Sequence, residues 1–112
     1  MDFDVALAHV DGDLQLLSEL AAMFVQDYPR MVDELRDSIG RENPSDLENA
    51  AHTLKGRLAF LGMKNGQDQA LRIEMMGRKH DLTGVWQALA QLENEVKTSM
   101  PELEMLAREQ RT

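Results

Sequence analysis

Between Leu14 and Ile39 the apolar side chains fall at Leu14, Leu17, Leu20, Ala21, Phe24, Val25, Met31, Val32, Leu35 and Ile39. This three-and-four spacing predicts one long amphipathic helix whose apolar residues form a single stripe. The stripe has to be covered by something. A chain of 112 residues is about one domain long and buries only about two thirds of its surface, so several helices must share one apolar axis. Composition agrees, since Leu, Ala and Met supply 35 residues against 12 for Val, Ile and Thr, a balance that favours helix over strand. Pro29 falls inside the pattern and predicts a kink near Asp27 and Tyr28.

The other elements follow from their punctuation. Phe3 to Val10 reads as a short leading helix. Gly40 to Pro44 is a turn by composition, and Ser45-Asp46-Leu47-Glu48 is a capping-box pattern, which predicts a helix capped by Ser45 and running to Gly62. A further helix is expected over Lys64 to Lys79. Asp81 to Gly84 marks the next break, with Thr83 as the expected cap. Val85, Leu89, Leu92 and Val96 then carry a helix to about Ser99, and Pro101 is placed to open a final segment containing Leu103 and Leu106. With no internal repeat and no linker, residues 1–112 read as a single all-α domain. The expected architecture is an antiparallel up-and-down four-helix bundle with a short leading N-terminal helix.

Charge narrows the function classes. Twenty acidic against twelve basic residues leave a net charge of -8, which would repel nucleic acid and anionic membrane alike. The absence of cysteine excludes disulfides and thiolate metal sites. Leu20 to Val25 is the longest apolar run, far short of the roughly 20 residues that cross a bilayer, and Met1-Asp2-Phe3-Asp4 lacks a cationic signal-peptide start. A cytoplasmic protein is expected. No P-loop, kinase-type glycine loop, Ser/His/Asp set or paired-His metal spacing is present, so the chain reads as a carrier with no cofactor or metal of its own.

The chemistry concentrates around His52. With His52 at zero on a wheel of about 100° per residue, Leu47, Ala50, Ala51, Leu54, Leu58 and Leu61 fall between roughly 160° and 260°. His52 is therefore expected on the exposed side, together with Lys55, Gly56, Ala59 and Phe60. Gly12, Gly40, Gly62, Gly66 and Gly84 sit at expected ends or turns, and Gly77 is placed to permit a close helix contact. Gly56 sits mid-helix, where it costs about 1 kcal/mol relative to Ala. A missing side chain one turn after an exposed imidazole, with a cation beside it, suits a histidine that attacks phosphate: an open ring nitrogen, a positive charge and room for a donor's loops.

His52-Thr53-Leu54-Lys55-Gly56, with Gly62 ten residues after the histidine, resembles the signature of histidine-containing phosphotransfer (HPt) domains, the four-helix carriers of two-component phosphorelays. Phe3-Asp4, Asp11-Gly12-Asp13-Leu14, Phe24 before Pro29 and the Asp46 to Ala51 approach are also similar, with the motif core over residues 45–80. The resemblance implies that His52 takes a phosphoryl group from a receiver-domain aspartate or a histidine kinase and passes it to a response-regulator aspartate. Lys55 would help hold the phosphoryl oxygens, and Gly56 would give access. Glu74, 22 residues after the histidine, matches the position whose side chain bonds the inner ring nitrogen, and a Glu there is similar to chemotaxis-type kinases. Mg²⁺ would come from the partner receiver domain. The chain is expected to act as a monomer, either as a free-standing shuttle or as a phosphotransfer domain of a larger hybrid or chemotaxis-type histidine kinase; a helical interaction module without phosphotransfer is the alternative.

Arg57 stands where the family usually has a small residue, at the edge of the core stripe, where its guanidinium can pair with a carboxylate or meet a partner. Residues 55–79 hold six bases and two acids, net +4, against -12 elsewhere, which predicts a basic island around His52 that steers an acidic partner. Arg57, Ala59, Met63 and Lys64 are the expected docking residues. Phe60 has two readings, one as part of that patch and one as folding back onto a neighbouring helix. His9 and His80 read as surface residues.

Overall fold

Short connections of three to six residues set the order of the helices. The computed structural model describes residues 1–111, with side chains through Glu109. Helices α1 (Phe3–His9), α2 (Leu14–Gly40), α3 (Pro44–Phe60), α4 (Lys64–Arg78) and α5 (Val85–Ala107) precede a 3-10 turn at Arg108–Arg111. No strand occurs among the described residues, so the fold is all-α. Asp13 caps α2 by accepting from the Leu16 N–H at 3.0 Å, satisfying one of the four donors a helix start leaves open.

The start of α3 corrects the sequence expectation. Asn43 is the cap, accepting from the Asp46 N–H at 3.0 Å, and Pro44 occupies the first turn. Ser45 lies inside the helix. Proline's fixed φ suits the first helical position, and this moves the start ahead of the capping-box serine. Likewise α5 starts from Gly84 at φ 77° rather than from Thr83, whose own N–H is taken by Asp81 Oδ1 at 3.1 Å.

Two prolines lie within helices. Helix α2 runs unbroken through the exposed Pro29, and α5 runs through Pro101 to Ala107 rather than ending near Ser99. A proline inside a helix removes one hydrogen bond. In α5 the stripe of Val96, Leu103 and Leu106 keeps its spacing across Pro101 and is buried, and the buried Ser18 hydroxyl of α2 donates to the Leu106 carbonyl. Burial of that end against α2 outweighs the missing bond.

Each of the four longer helices packs on two others: α2 on α3 and α5, and α4 on α3 and α5, with α1 against α2 and α3. The molecule extends 46 Å along its long axis and about 20 Å across. Phe24, Leu35, Leu54, Leu58, Ile73 and Leu92 are among the side chains fully withdrawn from water along that axis.

At the α3–α4 turn Gly62 adopts φ +69°. Its N–H donates to the Ala59 carbonyl at 3.1 Å and the Met63 N–H to the Leu58 carbonyl at 2.9 Å, the double bond pattern that ends a helix on a left-handed residue. The residue after that glycine characteristically packs back on the last turn. Met63 is accordingly 3% exposed, which removes it from the docking surface the sequence assigned to it.

Candidate functional site

The site is built by the close approach of α3 and α4. A Cβ on Gly77 would lie 2.7 Å from the Pro44 carbonyl oxygen and 2.8 Å from the Glu48 nitrogen, so only glycine lets the end of α4 lie against the start of α3. Glu74 is thereby brought opposite His52. The Glu74 side chain is 3% exposed and that of His52 is 68% exposed. His52 Nδ1 lies 2.9 Å from Glu74 Oε2, Lys55 Nζ 2.6 Å from Glu74 Oε1, and Arg78 Nη2 3.4 Å from Oε2.

Burial alone would raise the Glu74 pKa, but hydrogen bonds and charge from Lys55 and His52 outweigh it and hold the carboxyl below its ordinary 4.5. An ionised carboxylate only accepts. Nδ1 therefore carries the proton and donates to Glu74, and Nε2 is left as the unprotonated nitrogen of the neutral ring, on an exposed side chain. This linkage has a sign. The folded-state value lies below the unfolded one, so the stabilisation is complete above about pH 4.5 and lost as pH falls through the depressed value. Thermal melts on acidification should show the wild type losing more of its midpoint than Glu74→Gln; parallel curves would mean the carboxylate is not stabilised by its partners.

Gly56 is exposed, and a Cβ built on it meets nothing within 4 Å. Internal packing therefore gives no reason for glycine there. Beside it runs a mostly apolar groove between α2 and α3, lined by Leu20, Met23, Gly56, Arg57, Phe60 and Leu61. Sequence reasoning placed Leu20 in the core stripe, yet it is only half-buried, and its neighbour Met23 is 53% exposed. Their wheel positions could have signalled this, because Leu20 sits at the margin of the α2 stripe and Met23 beyond it.

Phe60 takes the second of its readings, folding back onto a neighbouring helix, while part of it still lines the groove. That helix is α1, where its ring centroid lies 5.0 Å from that of His9 and its carbonyl accepts from His9 Nδ1 at 2.8 Å. His9 thus has a structural partner, 51 positions away, that the sequence did not signal. Ala59 is half-buried on the same helix. Lys64 opens α4 and pairs with Asp68 at 2.6 Å. With Met63 it faces Met1, Glu95, Thr98 and Ser99, beyond the end of α3 and about 12 Å along the helix from His52, so the structure does not bring it to the histidine.

Two of the six bases in the basic island are paired with carboxylates from outside the 55–79 stretch. Arg57 pairs with Asp27 of α2 at 3.4 Å and lies over the Phe24 ring at 5.7 Å from its centroid; Arg78 pairs with Glu48 at 2.8 Å. Around His52, then, the cations Lys55, Arg57 and Arg78 face the carboxylates Asp27, Glu48 and Glu74. Counting charge along one stretch of chain omitted what neighbouring helices contribute. Among the described residues, no group of three or more His, Asp or Glu side chains could hold a metal ion.

The site is thus an exposed imidazole held by a buried carboxylate on the next helix, with a lysine and a bare glycine one turn on. In comparison with known families, the model of the Hpt domain matches residues 19–106. The chain belongs to the Hpt domain family. Hpt domains are phosphoryl carriers that work with receiver domains and kinases in two-component phosphorelays. The match starts within α2, leaving α1 outside it, and contains His52, Lys55, Gly56 and Glu74. Comparisons with curated proteins and with solved structures give no match. No helix of this Hpt domain is long and apolar enough to cross a membrane among the described residues.

Proposed function

We propose that His52 is the phosphoryl acceptor and donor of this Hpt domain, taking the group from a receiver-domain aspartate or a histidine kinase and returning it to a response-regulator aspartate. The observation that carries the reading is the His52–Glu74 bond. It fixes the ring so that Nε2 is the free nitrogen, on a side chain open to solvent, with Lys55 close enough to neutralise incoming phosphoryl oxygens. The Mg²⁺ of the exchange belongs to the receiver, and the chain holds no ATP site of its own. Residues 1–112 act as one domain, an antiparallel up-and-down bundle led by α1 and working as a cytoplasmic monomer; the short connections at residues 41–43 and 61–63 support the alternation of helix directions.

Docking falls to the groove beside Gly56. Leu20, Met23 and Phe60 offer apolar contact, Arg57 supplies its cationic wall, and the carboxylates that balance the nearby cations make apolar fit, rather than a basic field, the main attraction. Incubation with a phosphorylated receiver and Mg²⁺ should give an acid-labile, base-stable adduct; no adduct with any receiver or kinase tested would leave the helical interaction module in its place.

The access role of Gly56 has its own test. Since a Cβ there meets open space, Gly56→Ala should raise stability by about 1 kcal/mol. Gly56→Gln should keep its helical circular dichroism and obstruct transfer from a receiver. Unimpaired transfer in the Gln variant would remove Gly56 from the docking surface.

A further inference from the structure

Two groups compete for the Lys55 ammonium. It lies 2.6 Å from Glu74 Oε1, yet a phosphoryl group on His52 needs it too. Releasing it exposes a problem, because Glu74 is buried and a buried carboxylate stripped of its counter-charge is costly. A second cation is already in place. Arg78, one turn along α4, directs Nη2 to Glu74 Oε2 at 3.4 Å and Nε to Glu48 Oε2 at 2.8 Å. Glu48 belongs to α3, so the guanidinium is fixed from the opposite helix, with separate nitrogens of one planar fork serving two carboxylates. The groups facing Glu74 are the Lys55 ammonium and the His52 Nδ1–H from α3 and the Arg78 guanidinium from its own helix. Of these, only Arg78 has no part in the chemistry at the imidazole, and its charge does not titrate.

We propose that Arg78 is a positioning residue that keeps Glu74 compensated while Lys55 leaves Oε1 to meet the phosphoryl oxygens. The inference rests on His52 being the phosphoryl acceptor. In that step the Nε2 lone pair forms the N–P bond as the donor's bond to phosphorus breaks, and the leaving group departs with that bond's electron pair. The Nδ1 proton stays on the ring, bonded to Glu74. Without Arg78, freeing Lys55 would leave the buried carboxylate with His52 alone, so the lysine stays where it is and the phosphoryl oxygens lose their cation.

Phosphoramidate, which phosphorylates imidazole directly with ammonia as leaving group, tests this without a docking partner. Phosphohistidine formation on the full chain would be followed by ³¹P NMR in wild type, Arg78→Gln, Glu74→Gln and the double variant, with thermal melts of each. Arg78→Gln should slow the reaction about tenfold, the lower end of the cost of losing an orienting partner. In the Glu74→Gln background, where the neutral amide needs no counter-charge, the same change should matter less than about twofold. Arg78→Lys, which keeps the charge, should recover part of the rate. An equal loss in both Glu74 backgrounds would make Arg78 a brace between α4 and Glu48, and no loss in either would remove it from the site; both outcomes overturn the proposal. Failure of every receiver to exchange phosphate with a protein that phosphoramidate does modify would instead count against the relay function.

Discussion

Replacing His52 by Gln abolishes phosphoryl uptake from any phosphorylated receiver while leaving the fold in place. The amide nitrogen of Gln is no nucleophile, so the loss is complete rather than partial. Stability should change little, because the His52 side chain is 68% exposed and its hydrogen bond runs to Glu74, which retains Lys55 and Arg78; loss of one such bond is worth about 1 kcal/mol. Label transfer followed by gel electrophoresis, beside thermal melts of both proteins, checks the two halves of the expectation. Residual labelling of the variant would place the acceptor elsewhere, and His9 and His80 are the other histidines of the chain.

Gly77→Ala should be strongly damaging for a change of one methyl group. Its Cβ would sit 2.7 Å from the Pro44 carbonyl oxygen, 2.8 Å from the Glu48 nitrogen and 3.1 Å from the Glu48 Cα, all backbone atoms that cannot swing aside. Ala is the better helix former by about 1 kcal/mol, so propensity alone predicts stabilisation. The clash decides the sign instead. Forcing α3 and α4 apart costs roughly 1–3 kcal/mol, a large share of the roughly 5–15 kcal/mol that holds a domain together. The same displacement pulls Glu48 from Arg78 and Glu74 from His52, so transfer should fall along with the unfolding midpoint. Gly56→Ala makes the contrast, since it adds the same methyl group to open space. A Gly77→Ala protein as stable as the wild type would mean that the helices are not in contact at that point.

Much of this was legible in the sequence because it is local. The stripe from Leu14 to Ile39, the break at Gly62 and the exposed side of α3 follow from periodicity and single residues, and the His52, Lys55 and Gly56 group stands out because a mid-helix glycine has a cost. Glu74 came from family resemblance rather than from spacing. What escaped was mostly set by contacts distant in sequence. Asp27 and Glu48 neutralise Arg57 and Arg78 from outside the stretch whose charges were summed, and His9 meets Phe60 across 51 positions. Helix α5 passes Pro101 because α2 covers Leu103 and Leu106. Three errors were local. Asn43 and Pro44 outcompete Ser45 for the start of α3, Gly84 rather than Thr83 opens α5, and Met63 is buried as the residue after a helix-ending glycine, its N–H bonded to the Leu58 carbonyl.

The central claim is that Nε2 of His52 carries the phosphoryl group while Nδ1 keeps its proton for Glu74. A ¹⁵N–¹H spectrum of the ring nitrogens, recorded before and after phosphorylation by a receiver with Mg²⁺, tests both parts at once. The expected result is coupling of the new phosphorus to Nε2 of His52 and a protonated Nδ1 in both states; phosphorus on Nδ1, or on another residue, would contradict the account.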